Sequence, residues 1–246
     1  MKNTCIHTLS FILHPLTLLV AALIVVVAVR ATAPSDLNEV DQPLQASYVA
    51  DVLANGHYVI QWDTRGRVAT KPPLYNWIAA VFIGLLGEPS EFVLKLPSIL
   101  AAFGTLVFTF LLAMRWAGPS VAVASGLILA SGHHFFKMTY LARTDMLLCF
   151  WVVASIYAFE RTQSGPPSAR SRPLTEDGSP RGEAAGGELM WCFLFWLFQG
   201  LAVLTKGPPG PALVHAYVAT RLICGSGRPD RKKVEGGRVK DEKNIS

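Results

Sequence analysis

Six apolar runs divide this chain, at residues 11–30, 92–114, 119–137, 144–160, 189–205 and 208–224. Each approaches the roughly 17 to 25 residues that a helix needs to cross a bilayer. With 51% hydrophobic residues, 16% charged residues and a mean hydropathy of +0.37, the 246-residue chain has too little polar surface to solvate an ordinary globular domain. The expected fold class is therefore all-α: a polytopic transmembrane helical protein of about six spans, occupying residues 1–224. The net charge of +5 gathers mostly in residues 221–246 and in one loop, so it is no nucleic-acid signature. Cys5, Cys149, Cys192 and Cys224 stand singly, which supports neither a zinc site nor a disulfide framework. Residues 16–33 resemble a secretory signal, but the apolar spans downstream favour a retained first helix.

A seventh apolar stretch, Leu74 to Gly87, would reach only about 21 Å against a hydrocarbon core of about 30 Å. Sidedness tests whether it crosses. With the stretch uncrossed and the N-terminus inside, 14 of the 22 Lys and Arg residues fall on the inner side and 8 on the outer. Counting it as a crossing leaves 5 inside and 17 outside, against the cytoplasmic preference of basic residues. The stretch is thus expected to lie in the interface, within a first outer segment of residues 31–91. A second interfacial helix is expected there, with Ala46, Val49, Val52 and Leu53 on one face, Asp41 and Pro43 at its start and Gly56 at its end. Residues 161–188 read as a flexible cytoplasmic loop and 225–246 as a basic polar tail. Both termini are then cytoplasmic, in the cell membrane.

This topology places Asp41, Lys71, Arg143, Asp145 and Lys206 at outer helix ends. Ionisable groups at membrane depth cost about 2.5 to 3.5 kcal/mol each, so their convergence at one rim implies a polar cavity. Plainer roles exist for each. Asp41 suits a helix cap as well as a catalytic carboxylate. Lys71, followed by Pro72 and Pro73, suits either snorkelling or lipid phosphate. Arg143 can anchor to headgroups while Thr144 or Asp145 caps a helix. Lys206 precedes a tight Gly207-Pro208-Pro209 turn that would need those residues regardless. His133 and His134 lack partners at metal-ligand spacing.

Taken together, DQP at 41–43, KPPLYNW at 71–77, LPS at 96–98, LARTDM at 141–146 and LTKGP at 204–208 resemble the superfamily of ArnT-like aminoarabinose transferases and protein O-mannosyltransferases. The resemblance implies a GT-C glycosyltransferase, in which a sugar moves with inversion from a polyprenyl-phosphate donor to an acceptor hydroxyl on the outer face. By it, Asp41 is the catalytic base, and Gln42, Lys71, Arg143, Asp145 and Lys206 bind substrate. Gln42 stands where many relatives carry Glu, leaving one carboxylate of a pair. Thr70 stands where some relatives carry a metal-binding carboxylate, so no metal or other cofactor is expected. The implied partners are the polyprenyl-phosphate-sugar donor and membrane lipids. Relatives continue with further helices, so the chain is expected to be the N-terminal portion of such an enzyme. The alternative is a noncatalytic or truncated membrane protein that keeps the first half of the fold. A transporter fits less well, because the charges gather at a rim and no broken-helix repeat is visible.

Overall fold

The computed structural model describes residues 2–37, 41–163 and 182–225. Most of the loop expected at 161–188, and almost all of the tail at 225–246, lies outside them. Nine helices are described: α1 Lys2–Thr32, α2 Gln42–Asn55, α3 Leu74–Leu86, α4 Glu91–Ala117, α5 Pro119–Ser131, α6 His133–Thr139, α7 Thr144–Thr162, α8 Gly182–Lys206 and α9 Pro209–Gly225. Among the described residues the only β element is an isolated bridge between Trp62 and Val68.

Polar contacts fix which helix ends meet. At one end, Arg30 of α1 pairs with Asp36, Asp36 with Lys95 of α4, and Lys206 of α8 with Asp145 of α7. At the other, Arg115 of α4 donates to the Glu160 carbonyl of α7 at 3.2 Å, and Arg221 and Tyr217 of α9 donate to the Glu160 carboxylate at 2.8 and 2.5 Å. Helices α4 and α7 therefore run between two polar ends through an apolar middle, with α1 and α8 reaching the first of these ends and α9 the second. Two stretches, Glu91–Ala117 and Gly187–Lys206, are by themselves long and apolar enough to cross a membrane. Helices α6 and α7, bent by 112° across the turn at 140–143, make a third if counted together.

The run expected as one span over 119–137 is divided. Helix α5 stops at Ser131, Gly132 adopts an extended conformation, and α6 starts afresh. Thirteen residues of α5 rise only about 20 Å, and α6 lies at the first polar end, with the Arg30 guanidinium 5.9 Å from the Phe136 ring. Helix α3 has both its ends near that same polar end: it starts three residues after Lys71 and stops shortly before Glu91, which pairs with Lys95.

Helix α2 ends where Gly56 takes φ +69, a conformation cheap only for glycine. Its buried face is Gln42, Gln45, Val49, Asp51 and Val52, so it carries more polar groups than the expected apolar stripe, and Leu53 is exposed. A ladder of buried amides explains this. Gln45 donates to Asn76 of α3, Asn76 donates to Gln61 at 2.5 Å, and Gln61 donates to the Tyr58 carbonyl at 3.0 Å. The ladder joins α2, the 57–70 loop and α3. Buried amides left unpaired would each cost about 1 to 3 kcal/mol.

Small residues let the long helices approach closely, as membrane helices require. A Cβ on Gly104 of α4 would sit 2.4 Å from the Phe150 ring of α7, and one on Gly210 of α9 would sit 2.8 Å from the Ala202 Cβ of α8. Gly104→Leu and Gly210→Leu should each destabilise the bundle by about 1 to 3 kcal/mol, lowering its melting temperature in detergent. Gly200→Leu, where nothing lies within 4 Å, should leave it nearly unchanged. Parent-like melting of the first two variants would show that these helices do not touch there.

Candidate functional site

At the first polar end, five side chains from four segments form one chain of charges. Asp41 Oδ2 lies 3.4 Å from Lys71 Nζ and 3.0 Å from an Arg143 terminal nitrogen. Arg143 Nε lies 3.1 Å from Asp145 Oδ2, and Asp145 Oδ1 pairs with Lys206. The sequence places these residues at 41, 71, 143, 145 and 206, and the fold brings all five together. Their side chains remain 26% to 35% exposed, so the cluster is open to a ligand. Three cations against two carboxylates give it a formal charge of +1.

Local structure shows which plainer roles these residues do not fill. Asp41 precedes α2 but its side chain makes no capping bond. Neither does any side chain at the start of α7, where the Thr144 hydroxyl and Asp145 Oδ2 are buried without a hydrogen-bond partner. Arg143 Nε is likewise close to Asp145 but misaligned for a hydrogen bond. The cluster therefore holds unused hydrogen-bonding capacity. Gly207, at φ +79, closes α8 with its N–H on the Val203 carbonyl at 2.7 Å and leaves Lys206 at the helix end, facing Asp145.

Gln42, expected to bind substrate, has no exposed surface. Its Nε2 donates to the Asp36 carbonyl at 2.7 Å, and its Oε1 accepts from the Ala142 N–H at 2.9 Å. The amide is consumed inside the protein, tying the segment before Asp41 to the turn before Arg143. A carboxylate could accept from Ala142 but could not donate to the Asp36 carbonyl.

The motifs around the cluster prove to be supports. Tyr75 is fully buried, its hydroxyl donating to the Leu94 carbonyl at 3.0 Å, and Trp77 donates to the Tyr58 carbonyl at 2.6 Å. Ser98 donates to the Leu141 carbonyl at 2.6 Å and lies 3.2 Å from the Arg143 carbonyl, so the LPS motif holds the turn that presents Arg143. The motif's position inside an apolar run, where a serine hydroxyl needs a partner, was the available signal for this role. Beneath the cluster, Lys95 is wholly buried between Asp36 and Glu91; sequence reading counted it only as one more basic residue of the outer segments.

No three His, Cys, Asp or Glu side chains gather among the described residues. Thr70, before Lys71, supplies only a hydroxyl, and a single neutral oxygen beside a lysine does not make a cation site. A water-facing cavity of about 310 Å³ lies between the first turns of α2 and the 57–70 loop, lined by Pro43, Leu44, Ser47, Asp63, Arg65 and Arg67.

Burial pushes the Asp36 carboxyl up, but the Lys95 ammonium, with help from Gln42 and Arg30, outweighs it and holds the group below its ordinary value of 3.8. A depressed carboxyl contributes stability above its unfolded value and loses it as pH falls. The melting-temperature difference between the parent and Asp36→Asn should therefore be constant above about pH 5 and shrink as pH drops through 3.8 and below. A difference that does not change with pH would mean that Asp36 is not held ionised by these cations.

The dolichyl-phosphate-mannose-protein mannosyltransferase family model matches residues 70–165, a stretch that includes Lys71, Arg143 and Asp145; Asp41 and Lys206 join them through the fold. Among solved structures, ArnT from Cupriavidus metallidurans in the apo state superposes with a TM-score of 0.69 at 23% identity, over 84% of this chain and 35% of that one. The same protein bound to undecaprenyl phosphate gives 0.64 at 22% identity, with the same coverage. The present chain thus spans about a third of the length of those structures. No curated protein sequence matches it significantly.

Proposed function

Since this chain is a member of the superfamily of ArnT-like and protein O-mannosyltransferase proteins, we propose that it serves a membrane glycosyltransferase which moves a sugar from a polyprenyl-phosphate donor to an acceptor hydroxyl. The five-residue charge cluster carries this reading. Its formal charge of +1 complements a sugar phosphodiester, which bears one negative charge. Transfer breaks the bond from the anomeric carbon to the phosphate oxygen, and the electron pair leaves with the phosphate, whose charge rises toward −2 at neutral pH. Lys71 and Arg143 are placed to stabilise that growing charge, and pre-positioned cations in a water-poor site act strongly on it. Lys206 acts through Asp145, which it holds beside Arg143. Binding of undecaprenyl phosphate by the similar ArnT structure supports the lipid class of the donor.

Asp41 is the proposed base. The acceptor hydroxyl attacks the anomeric carbon from the face opposite the phosphate, giving inversion, and its proton passes to the Asp41 carboxylate. The basic-residue count supports an outer-face position for this end of the bundle, with both termini cytoplasmic in the cell membrane. The noncatalytic reading gives no reason for two carboxylates and three cations to stay assembled and partly exposed, each at an insertion cost of about 2.5 to 3.5 kcal/mol.

Binding and transfer separate the roles. Lys71→Ala and Arg143→Ala should each weaken polyprenyl-phosphate binding by about 10-fold or more, since hydrogen bonds to charged groups contribute about 1.5 to 3 kcal/mol. Asp41→Asn should bind the same lipid at least as tightly as the parent, because a competing carboxylate is gone. In the active enzyme, that variant should transfer about 10² to 10⁴ times more slowly. Full transfer by Asp41→Asn would remove the base assignment, and undiminished binding by both cation variants would remove the donor assignment.

A further inference from the structure

Below the exposed cluster lies a second group of charges that the reaction as proposed does not use: Arg30, Asp36, Glu91 and Lys95. Lys95 has no exposed surface, and its ammonium contacts Asp36 Oδ1 and Glu91 Oε1 while lying 4.3 Å from the centre of the Tyr140 ring. Arg30 pairs with the other Asp36 oxygen at 2.6 Å. Two cations and two carboxylates make this group neutral around a wholly buried ammonium, with Arg30, Asp36 and Glu91 22% to 26% exposed at its edge, in contrast to the cluster above it with its excess positive charge. Burying an ion group costs desolvation that its attraction often only matches, and well-packed apolar replacements are frequently as stable. Stability alone therefore does not account for it.

Its connections do. From Lys95 a continuous path of polar contacts runs through Asp36 to Gln42, whose Nε2 lies 2.7 Å from the Asp36 carbonyl and 3.5 Å from its Oδ1, and on to the Ala142 N–H at 2.9 Å. Gln42 is the chain neighbour of Asp41, and Ala142 is the chain neighbour of Arg143. Tyr140, under which Lys95 sits, opens the same turn. One helical turn along α4, Ser98 holds that turn from below through the carbonyls of Leu141 and Arg143. A single face of α4, carrying residues 91, 95 and 98, thus underlies both sides of the Asp41–Arg143 contact.

We infer that Lys95 is a positioning residue for the proposed transfer, a buried cation that sets the spacing of Asp41 and Arg143 by clamping Asp36 on one side and Tyr140 on the other. This rests on the functional reading above. It touches no substrate; it acts through Asp36, Gln42 and the 140–143 turn. Misplacing a binding group by about 1 Å can cost on the order of 100-fold, so the clamp can matter without contact.

The test is a double-mutant cycle in the chain as it stands, read as affinity for polyprenyl phosphate in nanodiscs alongside thermal melting. Lys95→Met leaves Glu91 uncompensated, so Lys95→Met with Glu91→Gln is measured beside it; that pair keeps the buried group neutral through Arg30 and Asp36. Both should bind polyprenyl phosphate about 10-fold or more weakly. Adding Arg143→Ala to either should weaken binding no further than Arg143→Ala alone, because the clamp acts through Arg143. A merely structural lysine would give losses that add, or parent-like affinity in the neutral pair, and either result overturns the positioning role. Parent-like binding by Arg143→Ala overturns this proposal, and parent-like binding by Lys71→Ala as well would overturn the functional reading with it.

Discussion

An ionisable side chain inside a bundle whose flanks are apolar must find a partner of opposite charge or stay out, and the polar end of this protein is organised by that constraint. Its charges separate into two groups with different accounts to settle. The Arg30–Asp36–Glu91–Lys95 group is balanced in charge around the buried Lys95, so it has no need of a ligand. The Asp41–Lys71–Arg143–Asp145–Lys206 group is a third exposed and carries one positive charge in excess, so an anion completes it. Gln42 joins the two, with its amide bonded to Asp36 on one side and to Ala142 on the other. The balanced group can hold geometry because its charges are paired, and the other group can bind because one of its charges is not.

The helices follow from this division. Only a small share of the apolar stretch Gly187–Lys206 is buried within the protein, and Leu189, Phe193 and Trp196 on α8 are exposed, as suits contact with lipid or with further helices. Helices α4 and α7 are instead the inner pair, with Phe110, Leu106, Ala154 and Ala158 fully buried. The N-terminal end of α4 carries Glu91, Lys95 and Ser98, and that of α7 follows directly on Arg143. Charge is thus presented from the two helices whose positions are best fixed by packing, with Lys206 reaching across from α8.

Hydropathy made the apolar runs legible as helices, because burying apolar area is a property of the run itself. It did not reveal the break at Gly132, since the residues on either side stay apolar and nothing local forbids a continuous helix. The exposed cluster was legible as a set of outer helix ends and as motifs taken in order, but not as contacts: Asp41 and Arg143 are about a hundred positions apart, and spacing along the chain says nothing of their 3.0 Å contact. In sequence Gln42, a polar residue beside a catalytic candidate, looks available to substrate; its burial depends on an N–H one hundred residues away. Lys95 was missed for the same reason, its Asp36 partner lying 59 residues back. Local chemistry shows which groups can bind, and only the fold shows which of them are already occupied.

If the excess positive charge at Lys71 and Arg143 receives a lipid phosphate, a structure of this chain in a lipid nanodisc with saturating polyprenyl phosphate will show phosphate oxygens within hydrogen-bonding distance of Lys71 Nζ and the Arg143 guanidinium. The Asp41 carboxylate will be drawn away from both cations, while the contacts of Lys95 and Gln42 stay as they are. Phosphate bound elsewhere, with Asp41 still paired to Lys71 and Arg143, would contradict this reading.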